Sequence, residues 1–418
     1  MRLIEADMPA ASPEAAPPPP LRLVSGACAE DLPPVVLLGG EANALSVSRD
    51  LSRMGVKVYA IGTADTCLRY SRHCKLIVPP SQGDPEQTWA QFLLGPQSDH
   101  FRGAVLLACC DEGLQVLARH REPLQQRFLL DEADPGAQLA MLDKLQTYQH
   151  ASAAKIATPQ YWPVESRQQI LDHREQLLFP LLAKPRLSHL FERQFGQKFI
   201  IANNLEELLD AYRVIEGRGI RVLLVEWIPG PDDQLASYFT YVDARGKLLF
   251  NYTKRVIRRY PVGMGAGCYH ITDWVPQLIE PSRRLIEQAS LRGLVNIEFK
   301  FDQRDQQYKL MECNARFTAS NSLISASGLP LAPFIYNRII GRPQLLRQVF
   351  RLNMRMWDPV RDFAAFLELR RRRQMTFGQW LASVMYPQTL PYFRWSDPGP
   401  TLARALRPLR RMLRRSAK

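Results

Sequence analysis

A chain of 418 residues with 46% hydrophobic content can bury a sizeable core and by its length divides into about two to four domains, which excludes a disordered chain and a small disulfide-held scaffold. The formal net charge of +13 suggests a nucleic-acid partner until it is located: from Arg342 onward 17 Lys and Arg stand against four Asp and Glu, so the preceding 341 residues are neutral. The seven cysteines form no CxxC pair, which predicts free thiols in a reducing, cytoplasmic setting.

The first 33 residues are rich in proline and carry Glu5 and Asp7 where a secretory signal has basic residues and an apolar run. They are expected to be a disordered leader that joins no core. The following PPVVLLGGEANALSVSRDLSRMGVKVYAIG predicts a strand, a glycine turn, a helix with apolar Leu45, Val47 and Leu51, and a second strand at Val56 to Ile61. A further apolar run from Ala104 to Cys109 continues this βαβ pattern, so a parallel α/β sheet is expected over residues 34–136. The lone Gly39-Gly40 pair, without GxGxxG, is poor evidence for a dinucleotide.

Beyond Asp143-Lys144, at the head of a helix, short strands are expected in FPLLAKP, KFIIAN and RVLLVEWIPG, with LEELLDAYRVI as an amphipathic helix between them. SYFTYVDARGKLLFNYTKR predicts a hairpin turning at Asp243 to Gly246. A second hairpin is expected in NIEFKFDQRDQQYKLMECNARF, and it bears most directly on function. Side chains alternate along a strand, so Asn296, Glu298 and Lys300 share one face, and Leu310, Glu312 and Asn314 are expected to share a face on the returning strand, with Arg316 just beyond. Pairing brings Glu298 beside Glu312, and two carboxylates that close repel unless a cation lies between them. Magnesium accepts such oxygen donors and leaves room for phosphate. A solvated, charge-rich strand face would read the same way on the hairpin alone.

The order of the surrounding elements decides between these readings, because from about Pro34 to Pro343 the chain resembles the ATP-grasp superfamily, and within it the relatives similar to D-aspartate ligase and carbamoyl-phosphate synthetase. Glu312-Cys313-Asn314-Ala315-Arg316 matches that family's ExNxR element, and Glu298 its earlier metal glutamate. The resemblance implies a Rossmann-like preATP-grasp domain over 34–136 and a two-lobed α+β ATP-grasp domain over 137–343 whose lid lobe spans about 155–228. It implies ATP and magnesium, or manganese in its place, at Glu298, Glu312 and Asn314. Lys144 and Lys184 would contact phosphates, Glu226, Trp227 and Ile228 the adenine edge, Asp233 (or Asp232) the ribose, while Arg316 positions phosphate and Arg255 holds a developing acyl phosphate. Only Gly196 stands where the family has a glycine-rich phosphate loop, so Arg186, Arg193 or Lys198 would supply charge there. Cys313 is expected to pack in the core.

The implied activity is that of an ADP-forming ligase, which joins a small carboxylate to an amine through an acyl phosphate. The rival reading is an idle nucleotide-binding module recruited by its tail. Residues 344–418 are expected to be a basic helical tail, in which Leu402, Leu406, Leu409 and Leu413 alternate with Arg404, Arg407, Arg410, Arg411, Arg414 and Arg415. That pattern suits an anionic surface at the inner membrane, with a solvated or protein-docking tail as the nearest alternative and nucleic acid behind both.

Overall fold

The structure is a computed structural model that describes residues 32–80, 83–187, 195, 198–343 and 349–407. The expected leader up to residue 31, Arg193 and Gly196 lie outside the described residues, as does the chain beyond Arg407, whereas Leu32 and Pro33, counted in that leader, join the body: Leu32 packs against the core and Pro33 O accepts from the Tyr336 hydroxyl at 2.7 Å. Fifteen strands are described in three sheets: β1 (Val35–Leu38), β2 (Val58–Ile61), β3 (Lys75–Ile77), β4 (Val105–Ala108), β5 (Tyr161–Val164), β6 (Leu181–Pro185), β7 (Ile200–Ala202), β8 (Val222–Glu226), β9 (Leu235–Val242), β10 (Tyr252–Tyr260), β11 (Ala266–Thr272), β12 (Gly293–Asp302), β13 (Gln307–Asn314), β14 (Arg355–Trp357) and β15 (Gln388–Thr389).

The first sheet runs β3-β2-β1-β4 with every pair parallel. All four residues of β1 are buried, because helices cover both faces of a parallel sheet and an uninterrupted apolar run is what such a strand requires. Alternate residues enter two cores: Val35 and Leu37 meet Leu45 and Leu51 of the helix Ala42–Ser52, whereas Val36 and Leu38 meet Trp89, Leu93 and Leu114.

A second, antiparallel sheet runs β5-β8-β6-β7 and is closed by the helix Leu205–Glu216. The Asn204 side chain caps that helix, accepting from Glu207 N at 2.9 Å, and Leu208, Tyr212 and Ile215 recur at helical spacing to bury one face against Leu181, Ala183 and Leu224. The largest sheet has seven strands in the order β13-β12-β9-β10-β11-β14-β15. On β12, Val295, Ile297 and Phe299 pack towards Leu285 and Ile286 of the helix Ile279–Gln288, so Asn296, Glu298 and Lys300 face the other way. Both expected hairpins form: β9 pairs β10 antiparallel, with Gly246 at φ 84 in the turn, and β12 pairs β13 with Glu298 opposite Glu312.

The C-terminal expectation is corrected. Through Arg407 the supposed tail is folded onto the body: β14 adds to the large sheet beside β11, and two buried acids, Asp362 and Asp397, clamp the segment beyond it. Arg258 of β10 donates to Asp362 at 2.6 and 3.0 Å with side-chain exposures of 5% and 0%, and both Trp357 and Trp380 donate their indole N–H to the same carboxylate at 2.9 Å. Arg49 of the first sheet's helix meets Asp397 at 3.0 Å, also buried. Arg404 and Arg407, expected on a free cationic face, pair with Asp358 and with Glu41 and Asp65. The helix there covers Gly399–Ala405, and Leu409, Leu413 and the last arginines lie outside the described residues.

Removing one partner of a buried, multiply bonded ion pair leaves the other charge stranded. Asp362→Ala should therefore lower unfolding free energy by about 3 kcal/mol or more in urea titrations followed by fluorescence. An unchanged midpoint would mean that the segment after β11 is not docked.

Candidate active site

The hairpin β12–β13 places Glu298 directly across from Glu312, and the ladder carries this row further: Glu298 pairs with Ser237 of β9, and Ser237 with Lys254 of β10. A one-residue irregularity after Glu298 shifts the register towards the hairpin tip without disturbing that row, and it turns Leu310, expected on the face of Glu312, to the core beside Phe299. Across the cleft, Asp143 caps the helix Lys144–Ala153, accepting from Leu145 N at 2.9 Å, and this cap aims Lys144 so that its Nζ lies 3.5 Å from Glu312 Oε1. Lys184 enters from β6, buried at 7% exposure, with no ion pair to a carboxylate among the described residues.

The electrostatics follow from that crowding. Burial and the adjacent Glu312 carboxylate push Glu298 up from the ordinary glutamate range. Glu312 moves down: burial opposes the charge, but Lys144, Lys198 and Arg316 outweigh it. Burial, with Lys144 as a like charge, pushes Lys184 down to about 8, and burial brings Lys254 to about 8 despite Glu298 nearby. These ammonium groups face a space that offers them too little negative charge, which is what a polyanionic ligand would supply.

The hairpin passes a simple test for a hard divalent cation. Two carboxylates face one another, the Asn314 amide lies two residues along the same face opposite Asn296, and the buried Oδ1 of Asn296 accepts no hydrogen bond among the described residues. No group of three or more His, Cys, Asp or Glu gathers to hold a metal among the described residues, so this is no all-protein cage. Magnesium rarely uses one, since it shares its octahedron with water and phosphate.

Most sequence-derived candidates converge here, with three corrections. Arg255 does not: strand alternation sends it to the opposite face of β10, where it is 45% exposed and pairs with Asp273 at 2.6 Å. Its neighbour Lys254 faces the glutamates instead and lies 3.4 Å from His270 Nδ1. The pattern Tyr252, Lys254, Val256 in YTKRV held that signal, once β9 was known to separate β10 from β12. Secondly, the Glu226 carboxylate is already taken, accepting from Gln160 N at 3.0 Å and Arg304 Nη2 at 2.6 Å, which leaves main-chain groups of the Glu226–Ile228 hinge to meet a base. There Lys300 donates to Ile228 O at 2.8 Å and its ammonium stands over the Trp227 ring at 5.8 Å. Thirdly, Arg186, weighed as a phosphate-loop substitute, chelates Asp143, whereas Lys198 bears on both glutamates.

Asp232 is held by Arg259 at 2.8 Å, and the adjacent Asp233 is exposed at the cleft-side turn. Arg316 projects to Asp111 Oδ1 at 2.5 Å, at the start of the helix Asp111–Arg119, while staying close enough to Glu312 that both carboxylates keep it protonated against burial. Cys313 points to the core face among Val295, Ile297 and Leu310. A cavity of about 600 Å³ lined by Lys155, Arg284, Phe301 and Tyr308 lies off this row, since Phe301 alternates to the face away from Glu298.

Residues 271–341, which include the whole β12–β13 hairpin, match the family described as carbamoyl-phosphate synthase L chain, ATP binding domain. The biotin carboxylase domain of Hydrogenobacter thermophilus 2-oxoglutarate carboxylase superposes with a TM-score of 0.60 at 16% identity, over 77% of this chain and 73% of that one. The fold is that of the ATP-grasp superfamily. The L-amino acid ligase of Bacillus licheniformis shares it, with a TM-score of 0.55 at 14% identity over 73% of each chain. In sequence, D-aspartate ligase of Enterococcus faecium (strain Aus0004) is 24% identical over 324 residues, covering 74% of this chain and 77% of that one.

The two arginines should separate in stability as they do in place. Arg316→Ala removes one partner of Asp111 and a cation from beside Glu312, and should cost about 2 kcal/mol in urea unfolding, whereas Arg255→Ala breaks an exposed pair and should cost under about 1 kcal/mol. Equal losses would contradict the assignment of the two residues to opposite faces.

Proposed function

We propose that the protein is an ADP-forming ligase that uses ATP to activate a carboxylate and transfers the acyl group to an amine. The observation that carries this reading is the row Glu298, Glu312, Lys254 on the large sheet, faced by Lys144 and Lys184 from the other side of one cleft. The ATP-grasp fold, and the ligases of amino acids named above among proteins of similar fold and sequence, support it. In the reaction a carboxylate oxygen attacks the γ-phosphorus, the bond to the β,γ-bridging oxygen breaks, and ADP departs. The amine then attacks the acyl carbon, phosphate leaves, and the nitrogen loses its proton.

The chain's own groups supply position and charge. Lys144 and Lys184 hold the phosphates from the lid side, Lys254 and Arg316 meet the transferring phosphoryl group from the sheet, and the hinge backbone at Trp227 and Ile228 receives the base, with Asp233 near the ribose. Glu298, Glu312 and Asn314 would hold magnesium, or manganese, which supplies neutralisation of phosphate charge. Closure of the lid sheet over the cleft excludes water from the acyl phosphate. No helix among the described residues is long and apolar enough to cross a membrane, and a cytoplasmic site of action fits the free cysteines.

Purified protein given magnesium-ATP with pooled carboxylates and pooled amines should release ADP and phosphate only when both pools are present. Glu312→Gln and Lys254→Met should each lower that rate by about a hundredfold or more, while Arg255→Ala should stay within about threefold. Release without an amine, or with Glu312→Gln unimpaired, would overturn the reading. Lys184 and Lys254, pushed down to about 8, are mostly charged at pH 7 and mostly neutral at pH 9, so nucleotide affinity measured calorimetrically should fall between those values. Lys184→Met should start weaker and fall less.

A further inference from the structure

The helix Pro359–Arg371 and the helix Phe377–Val384 pack against one another through a ring cluster, with Phe366 and Trp380 stacked at 5.1 Å and Phe363 and Phe377 each within 5.7 Å of Trp380. The buried Arg258–Asp362 pair and the Trp380 bond to Asp362 fix this pair to the large sheet. Its outward side is apolar. Val360, Phe363 and Leu367 recur at helical spacing on the first helix, Phe377, Leu381 and Met385 on and after the second, and all six are exposed, Val360 and Met385 by 75% and 74%. Soluble surfaces scatter such side chains singly; six on one helical hairpin make a patch.

The charge around that patch has one sign. Arg370 to Arg373 are all exposed, and Arg371 continues the Val360, Phe363, Leu367 stripe by one further turn. Between Pro359 and Pro387 the acids are Asp362, which is buried, and Glu368, which is bound by Arg372 and Val262 N. An apolar helical face edged by arginines without exposed acids is the make-up of a segment that lies in a membrane interface. Nucleic acid would use the arginines and leave the apolar side chains in water, and a second copy would set like charge against like charge.

We infer that this helical hairpin docks the protein on a lipid surface bearing anionic headgroups, with the apolar side chains entering the headgroup and acyl boundary and the arginines meeting the phosphates. The surface is distinct from the Glu298–Glu312 cleft, so it stands or falls independently of the proposed ligase activity. It also differs from the last residues of the chain, whose arginines were the expected membrane contact.

The test is sedimentation of the full chain with phosphatidylcholine vesicles, with and without about 30% phosphatidylglycerol, at physiological salt. The expected result is about tenfold or greater preference for the anionic vesicles. The triple variant Phe377→Glu, Leu381→Glu, Met385→Glu should lose binding by a similar factor with an unchanged circular dichroism spectrum, and Arg370 to Arg373 changed to Gln should lose the headgroup preference. Those four arginine changes touch no core residue, so they also cover the case in which the triple variant misfolds. Three results would each overturn the inference: absence of wild-type binding, binding lost only when Arg410, Arg411, Arg414 and Arg415 become Gln, or a dimer that the triple variant dissociates while vesicles stay unbound.

Discussion

Two carboxylates held face to face across a β-ladder set the terms for the rest of this structure. Glu298 and Glu312 cannot both ionise cheaply, and the strand register that opposes them is not negotiable, because sliding β13 by one residue would send Cys313 and Leu310 out of the core. The protein answers with cations brought from four separate places: Lys144 from a helix N-terminus, Lys198 from just before β7, Lys254 from two strands away and Arg316 from just past the hairpin. Those cations in turn need holding. Asp143 orients the start of the Lys144 helix, and Asp111 anchors Arg316 to the first sheet's domain. The site is thus a balance in which each charge has a reason to be there only because of the others.

Strand periodicity made much of this legible in the sequence. β1 and β4 are encoded by short unbroken apolar runs and the two hairpins by alternating ones, and the hairpin pairing brought Glu298 beside Glu312, with Asn314 two residues along the same face. What could not be read was sheet order. Lys254 and Arg255 are adjacent in the chain and equally basic, and only the placement of β9 between β10 and β12 decides which of them looks at the glutamates. Glu226 failed for a related reason, since its partner Arg304 lies 78 residues away and no local pattern announces the pairing.

The C-terminal segment shows how composition misleads. A surplus of arginine suggested a solvated tail, yet Asp358, Asp362 and Asp397 are each placed to fold part of it down. Few acids suffice when they are buried, because a desolvated partner constrains far more than an exposed one. The helical pair that these clamps present keeps its apolar side outward as a result: the contacts that could have covered it are spent on Asp362, on the inward side of the same helix.

The placement of β14 beside β11 also bears on synthesis. The strand carrying Lys254 is two positions from a strand that is made about a hundred residues later, and the helix behind β1 is closed by Asp397, 348 residues downstream of Arg49. A nascent chain can complete its first parallel sheet early, since β1 to β4 are contiguous, but the large sheet stays open at one edge until nearly the whole chain has left the ribosome. Premature termination after Pro343 would therefore release a polypeptide with Lys144, Lys184, Lys254, Glu298 and Glu312 all present and a bare strand, β11, waiting for a partner of its own or of another molecule.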